Sequence, residues 1–210
     1  MTSFDTLLFT EAVRALQEED GSRDRMEASY RNRNTTKLGP DESAFIESRT
    51  SIYIATVNPD GWPYVQHRGG PAGFVRVLDD NRLAFLDYPG NRQFISTGNV
   101  RDNDKISLFM MDYPRRARLK ILGHATMKPI DSDPDLASRL ATSIPVEPER
   151  INIVDVVAFD WNCPKYILPR FTEAEMEQML APRFNAMQSR LASMEKLLRE
   201  NGLSLEEKNL

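Results

Sequence analysis

The chain has 210 residues, enough for one sizeable domain with attachments, and its 40% apolar and 28% charged residues are those of an ordinary globular protein. A formal net charge of −4 leaves no bulk electrostatic case for binding nucleic acid or an anionic membrane, and no apolar run nears the ~18 residues of a spanning helix. One cysteine, Cys163, excludes an intrachain disulfide, and with only two histidines no zinc site is expected; the corresponding expectation is a cytoplasmic protein without a secretory leader.

Residues 10–20 read as a short amphipathic helix with Val13 and Leu16 on one face. Residues 21–38 are polar and basic, which predicts a solvated arm or loop, or an arm that wraps a partner subunit. Pro40, followed by Asp41 and Glu42, starts a helix, because proline is tolerated in the first turn and acids favour the positive end of the dipole.

From residue 51 the period changes to two. Strands are expected over 51–57, 63–68, 74–78, 82–86, 106–111 and 118–127, with a last one over the β-branched run 151–159. Asn58-Pro-Asp-Gly61 and Asp79-Asp-Asn81 are hairpin signals, and short loops imply antiparallel pairing. Six or seven such strands predict a mainly β fold, a small antiparallel β-barrel with peripheral helices.

Asp131–Thr142 reads as a short helix capped by Asp131 or Ser132. Thr172-Glu-Ala-Glu175 is a capping box, and Pro182 is expected to end that helix and start another. In the last helix Phe184, Met187, Leu191, Met194 and Leu198 recur at alternating steps of three and four, with Gly202 as a stop. That seam docks on its own barrel or pairs across a dimer. The expected organisation is a helix and arm over 1–39, a barrel over 40–171 and C-terminal helices over 172–210.

Three segments carry side chains suited to an anionic cofactor. In the first, Gln66, His67 and Arg68 end a strand and run into Gly69-Gly70-Pro71, where the backbone can approach a ligand closely. In the second, a strand ends at Asp87, a Gly90 turn follows, and Asn91 is expected to cap a short helix with Arg92 in its first turn and Gln93 beside it. Free backbone N–H groups and a guanidinium would then face one volume, a phosphate site. In the third, strand alternation puts Arg116, Arg118 and Lys120 on one face and Leu119 and Ile121 on the other. Each has a plainer reading: a solvated cap at Asn91–Arg92, an exposed basic face around Arg118. Trp161, after the last strand, suits stacking on a planar heterocycle or anchoring a core or an interface. Cys163 has no candidate base in the sequence, so thiol catalysis is not expected.

Over residues 40–170 these segments resemble the pyridoxamine 5'-phosphate oxidase-like flavin-binding split barrels. Gln66 and Pro71 fall on the basic ends of the family's Arg-x-x-x-x-Lys, leaving His67 and Arg68 to supply charge. Asn91-Arg92-Gln93 occupies the Ser-Arg-Lys positions. Arg118 falls on a flavin-contacting glutamine and Gly123 on a glycine. The resemblance implies an FMN-binding split barrel working as a homodimer with the flavin in the interface, approached by Trp161 and Arg170 from the partner subunit. The main chain near Gly69 and Arg118 would then serve the polar edge of the ring. The family's basic cluster for the substrate phosphate is replaced here by the loop around Trp161 and a long helix. The implied activity is therefore a flavin-dependent oxidation or reduction of some other small molecule; the alternative is a non-catalytic flavin carrier or sensor.

Overall fold

The computed structural model describes residues 3–202. One compact unit ends at Ile167 and a second begins at Leu168. The first unit is built on seven antiparallel strands: β1 (Ser51–Val57), β2 (Pro63–Gly69), β3 (Val75–Asp79), β4 (Arg82–Asp87), β5 (Lys105–Asp112), β6 (Ala117–Pro129) and β7 (Arg150–Trp161). Their order in the sheet is β2-β1-β5-β6-β7-β4-β3. β2 stands first in that order and β4 sixth, yet Arg68 on β2 lies 3.0 Å from Asp87 on β4. The sheet therefore curls round until its two ends face each other, which makes it a split barrel: mainly β, with helices at the periphery.

Alternation decides which side chains fill the interior. Ile52 and Ile54, Leu108 and Met110, Leu119 and Ile121 all point inward and are buried. β4 and β7 are buried on both faces. Leu83 and Phe85 join the barrel core, whereas Ala84 and Leu86 pack with Ile151 against Leu136 and Leu140 of helix α6 (Pro134–Leu140) in a second apolar cluster. The edge strand β3 is covered by helix α4 (Pro40–Glu47), as exposed edges must be. The Glu47 carboxylate accepts the Val77 N–H at 3.1 Å, and its carbonyl accepts from Gly73.

The turn chemistry acts as the sequence implies. Asn58 Oδ1 accepts the Trp62 N–H at 2.8 Å, and Gly61 takes φ +85° to close the β1–β2 hairpin. Gly123 sits at a bulge where β6 crosses β7, and a Cβ built there would lie 2.6 Å from the Asp155 carbonyl oxygen. Only glycine permits that approach.

Three local expectations are corrected here. The polar segment 21–38 is exposed along most of its length, as expected, but it is neither all loop nor free of the sheet. Residues Arg23–Tyr30 form helix α3, which follows α1 (Phe4–Leu8) and α2 (Glu11–Glu19). The stretch after it is stitched to its own sheet: Thr35 accepts the Phe159 N–H through its carbonyl, Asn81 Nδ2 donates to the Thr36 carbonyl, and Leu38 N–H donates to Asp80. Arg33 is held 2.9 Å from the buried Asp160, which Lys120 also approaches at 3.6 Å. Asp133, not Asp131 or Ser132, caps α6, because Ile130–Ser132 is a separate 3₁₀ turn and Pro134 takes the first helical position. Arg116 lies in the turn before β6 with φ +53°, so only Arg118 and Lys120 share the strand face.

The second unit carries helix α7 (Glu173–Glu200), opened by the Thr172–Glu175 capping box. Pro182 lies inside it, so the expected break into two helices does not occur. One missing N–H is tolerated in a helix that spans 28 residues. Gly202 follows the end at φ +69°, the left-handed stop the sequence predicts.

Candidate functional site

Where β2 meets the end of β4, side chains from four separated segments converge. Gln66 and Arg68 stand on the half-buried face of β2, two residues apart and therefore on the same side. His67 alternates to the exposed face and packs edge-on against Tyr53, and Gly69 shares that opposite face. Asp87 ends β4 and is only 3% exposed. Its register partner across the ladder is Arg150, the first residue of β7. Arg150 Nε donates to Asp87 Oδ2 at 3.0 Å, while Arg68 Nη1 lies 3.0 Å from Asp87 Oδ1. The latter contact pairs charge but is off the line of a hydrogen bond, so both Asp87 Oδ1 and the buried Arg68 Nε keep unused hydrogen-bonding capacity.

The loop after β4 completes the site. Asn91 does not cap a helix: its Oδ1 accepts the Gln93 N–H at 3.1 Å in a tight Asx turn, and helix α5 (Ile95–Asp102) starts four residues later. Arg92 and Phe94 both adopt left-handed backbone, φ +64° and +53°. Two non-glycine residues in that region within three positions store strain, a feature that clusters at ligand sites. The turn aims Arg92 at Glu149, whose other oxygen lies 3.0 Å from Arg150 Nη2. Ser96, at the start of α5, donates its hydroxyl to Gln66 Oε1 at 2.9 Å. The Arg150 guanidinium also stands 5.3 Å over the Phe94 ring.

The result is a cleft lined by Gln66, Arg68, Asp87, Asn91, Arg92 and Arg150, among others. Three guanidiniums face two carboxylates, leaving one positive charge in excess. The cleft is narrow and half open, about 30 Å³, and Arg92 is exposed at its edge. An adjoining open depression of about 470 Å³ shares Thr97, Glu149 and Arg150 with the cleft and continues along Val100, Arg101, Thr126 and Met127.

Five of the residues singled out in the sequence thus come together: Gln66, Arg68, Asp87, Asn91 and Arg92. Gln93 stays exposed beside them. Others do not join the cleft. Arg118 is opposite Met111 in the β5–β6 ladder, and its buried Nε has no hydrogen-bond partner among the described residues. Trp161 donates its indole N–H to Glu42 at 2.7 Å and packs edge-on against Phe45. Arg170 belongs to the second unit. The sequence reading missed Glu149 and Arg150. Their only local signal is a charged pair just before an apolar strand; what brings them to Asp87 is the β4–β7 register, which no local pattern encodes.

The curled antiparallel sheet with peripheral helices and an arginine-lined cleft at its open seam places the chain among the split-barrel β proteins. The chain belongs to the pyridoxamine 5'-phosphate oxidase family, whose model matches residues 38–152, more than half its length. None of the curated proteins matches it in sequence. Among solved structures it is similar to a putative pyridoxamine 5'-phosphate oxidase from Lactobacillus delbrueckii, at 23% identity and a TM-score of 0.45, covering 60% of this chain and 96% of that one. It is also similar to HupZ of Group A Streptococcus (19%, TM-score 0.46, covering 64% and 100%). An FMN-binding protein of Syntrophomonas wolfei is a third (10%, TM-score 0.40, covering 70% and 97%). The family assignment rests on the match over residues 38–152.

Proposed function

We propose that this protein binds FMN with its phosphate at the Arg68–Arg92–Arg150 cleft and uses the flavin in an oxidoreductase reaction on a small molecule. The observation that carries the reading is the convergence of three arginines, from β2, the loop after β4 and the start of β7, on one cleft with positive charge in excess. The donor set fits a phosphate monoester. Guanidiniums give charge-assisted and bidentate hydrogen bonds, and the half-buried Thr97 adds a hydroxyl to the lining. The unused Arg68 Nε is a further donor in waiting. FMN, once bound, supplies the redox chemistry; the chain supplies binding, orientation and the electrostatics around the ring.

The residues divide that labour. Asp87 holds Arg68 and Arg150 in place from beneath, so their outer N–H groups face the mouth without searching for a geometry. Arg118 is the candidate donor for the polar edge of the ring, since its buried Nε is unsatisfied. It stands on β6 outside the cleft, and the reading takes the protein as a homodimer with the flavin in the interface. The exposed Cys163 suits a reducing, cytoplasmic setting.

The test is titration of FMN into the protein, followed by quenching of flavin fluorescence and by calorimetry. Tight uptake of FMN with much weaker uptake of riboflavin is expected, since only FMN carries the phosphate. No binding of either overturns the reading, and equal binding of both removes the phosphate from the arginine cleft. Turnover with a nicotinamide donor then separates an oxidoreductase from a carrier or sensor that binds without reacting.

A further inference from the structure

Helix α7 carries an apolar seam that runs its whole second half. Leu180, Phe184, Met187, Leu191, Met194 and Leu198 follow one another at steps of four and three. Phe184, Met187, Leu191 and Met194 are each more than half exposed. In heptad terms Phe184, Leu191 and Leu198 take a, and Leu180, Met187 and Met194 take d. Pro182 falls at f, the position farthest from the seam, where a missing N–H and a gentle bend do least harm to packing.

The flanking charges choose the occupant. Arg183 and Arg190 take g; Gln188 and Glu195 take e. In a parallel, in-register pair each g residue meets the e residue five positions on in the other helix. Arg190 then faces Glu195 twice, once on each side of the two-fold axis, and Arg183 faces Gln188. In an antiparallel pair g meets g and e meets e, which sets arginine against arginine. The charges therefore match a second copy of the same helix in one orientation and oppose it in the other. From this we infer that α7 is a dimerisation helix that pairs with α7 of a second copy as a short parallel coiled coil. This pairing stands whether or not FMN binds at the cleft.

The test uses the full chain with the exposed Cys163 changed to Ser, so that an added thiol is the only one. Met187→Cys places a thiol at d, where like positions meet in a parallel pair, and Ser189→Cys places one at f on the outer face. Mild oxidation is expected to link Met187→Cys into covalent dimers and to leave Ser189→Cys monomeric on a non-reducing gel. Adding Arg190→Glu to Met187→Cys should slow linking about 2- to 5-fold, as weak charge pairs turned repulsive would. Adding Glu195→Arg as well should restore it. Equal linking at both positions, no linking at Met187→Cys, or indifference to Arg190→Glu each overturns the parallel pair; an antiparallel pair sets d against a and so fails the Met187→Cys arm.

Discussion

At the scale of residues, the cleft is a contest between internal and external anions. Glu149 bridges Arg92 and Arg150, the two arginines proposed to hold a phosphate. Arg92 is itself more than half exposed, so its pairing with Glu149 is weak in water. Replacing Arg92 by Ala should weaken FMN affinity roughly 10- to 150-fold, the loss of about 1.5–3 kcal/mol for a charge-assisted hydrogen bond to phosphate. Folding should survive, since the side chain sits at a cleft mouth. An unchanged dissociation constant would make Arg92 a solvated surface charge. Glu149→Gln should act in the opposite direction. With the competing carboxylate gone, FMN affinity should rise about 2- to 5-fold, the worth of one exposed ion pair. Calorimetry showing weaker binding instead would mean that Glu149 orients the arginines rather than competing for them.

At the scale of elements, what the sequence discloses depends on how local the determinant is. The seven strands were legible because alternation and turn chemistry act within a few residues: Asn58 and Gly61 close one hairpin, and Asp79 accepts the Asn81 N–H in another. Helix α3 was not, because Arg23-Asp-Arg-Met-Glu-Ala-Ser-Tyr30 has no apolar stripe, and the segment is ordered instead by non-local ties such as Arg33 to Asp160. In the site, Gln66 and Arg68 were legible from their place on one strand, and Arg150 was not, since it reaches Asp87 only through register. Two tests follow at this scale. Gly123→Ala should destabilise the barrel by about 1–3 kcal/mol, as overpacking against the Asp155 carbonyl does; a denaturation midpoint unmoved from wild type would show that the bulge can give way. The docking of α3 should be sensitive to alkali. Burial first, then the Asp160 carboxylate, raise the Tyr30 phenol from 10.0 to about 12. A raised pKa means the folded state holds its proton longer than the unfolded one. The stabilisation is therefore complete below pH ~10 and is lost as pH climbs to about 12. Phenolate absorbance should show one late-titrating tyrosine that disappears in Tyr30→Phe, and the variant's stability should depend less on pH across that window.

At the scale of the whole molecule, the question is which surface holds two copies together. The first unit, ending at Ile167, contains the two apolar clusters and seven strands of the described residues and the whole arginine cleft. The α7 seam offers six core positions from Leu180 to Leu198, under three heptads, and so short a seam holds two helices weakly unless something larger brings them together. A coiled coil of that length adds to an existing dimer more readily than it creates one, because pairing within a dimer is intramolecular and benefits from a high effective concentration. The chain shortened to residues 1–167 should therefore fold, bind FMN and remain a dimer through the barrel, while dissociating at a higher dilution than the full chain. Light scattering over a dilution series, with and without FMN, measures this. A folded monomer that binds FMN as tightly as the full chain would remove the interfacial cofactor. A monomer whose FMN affinity has collapsed would instead show that α7 supplies the dimer and that the dimer completes the site.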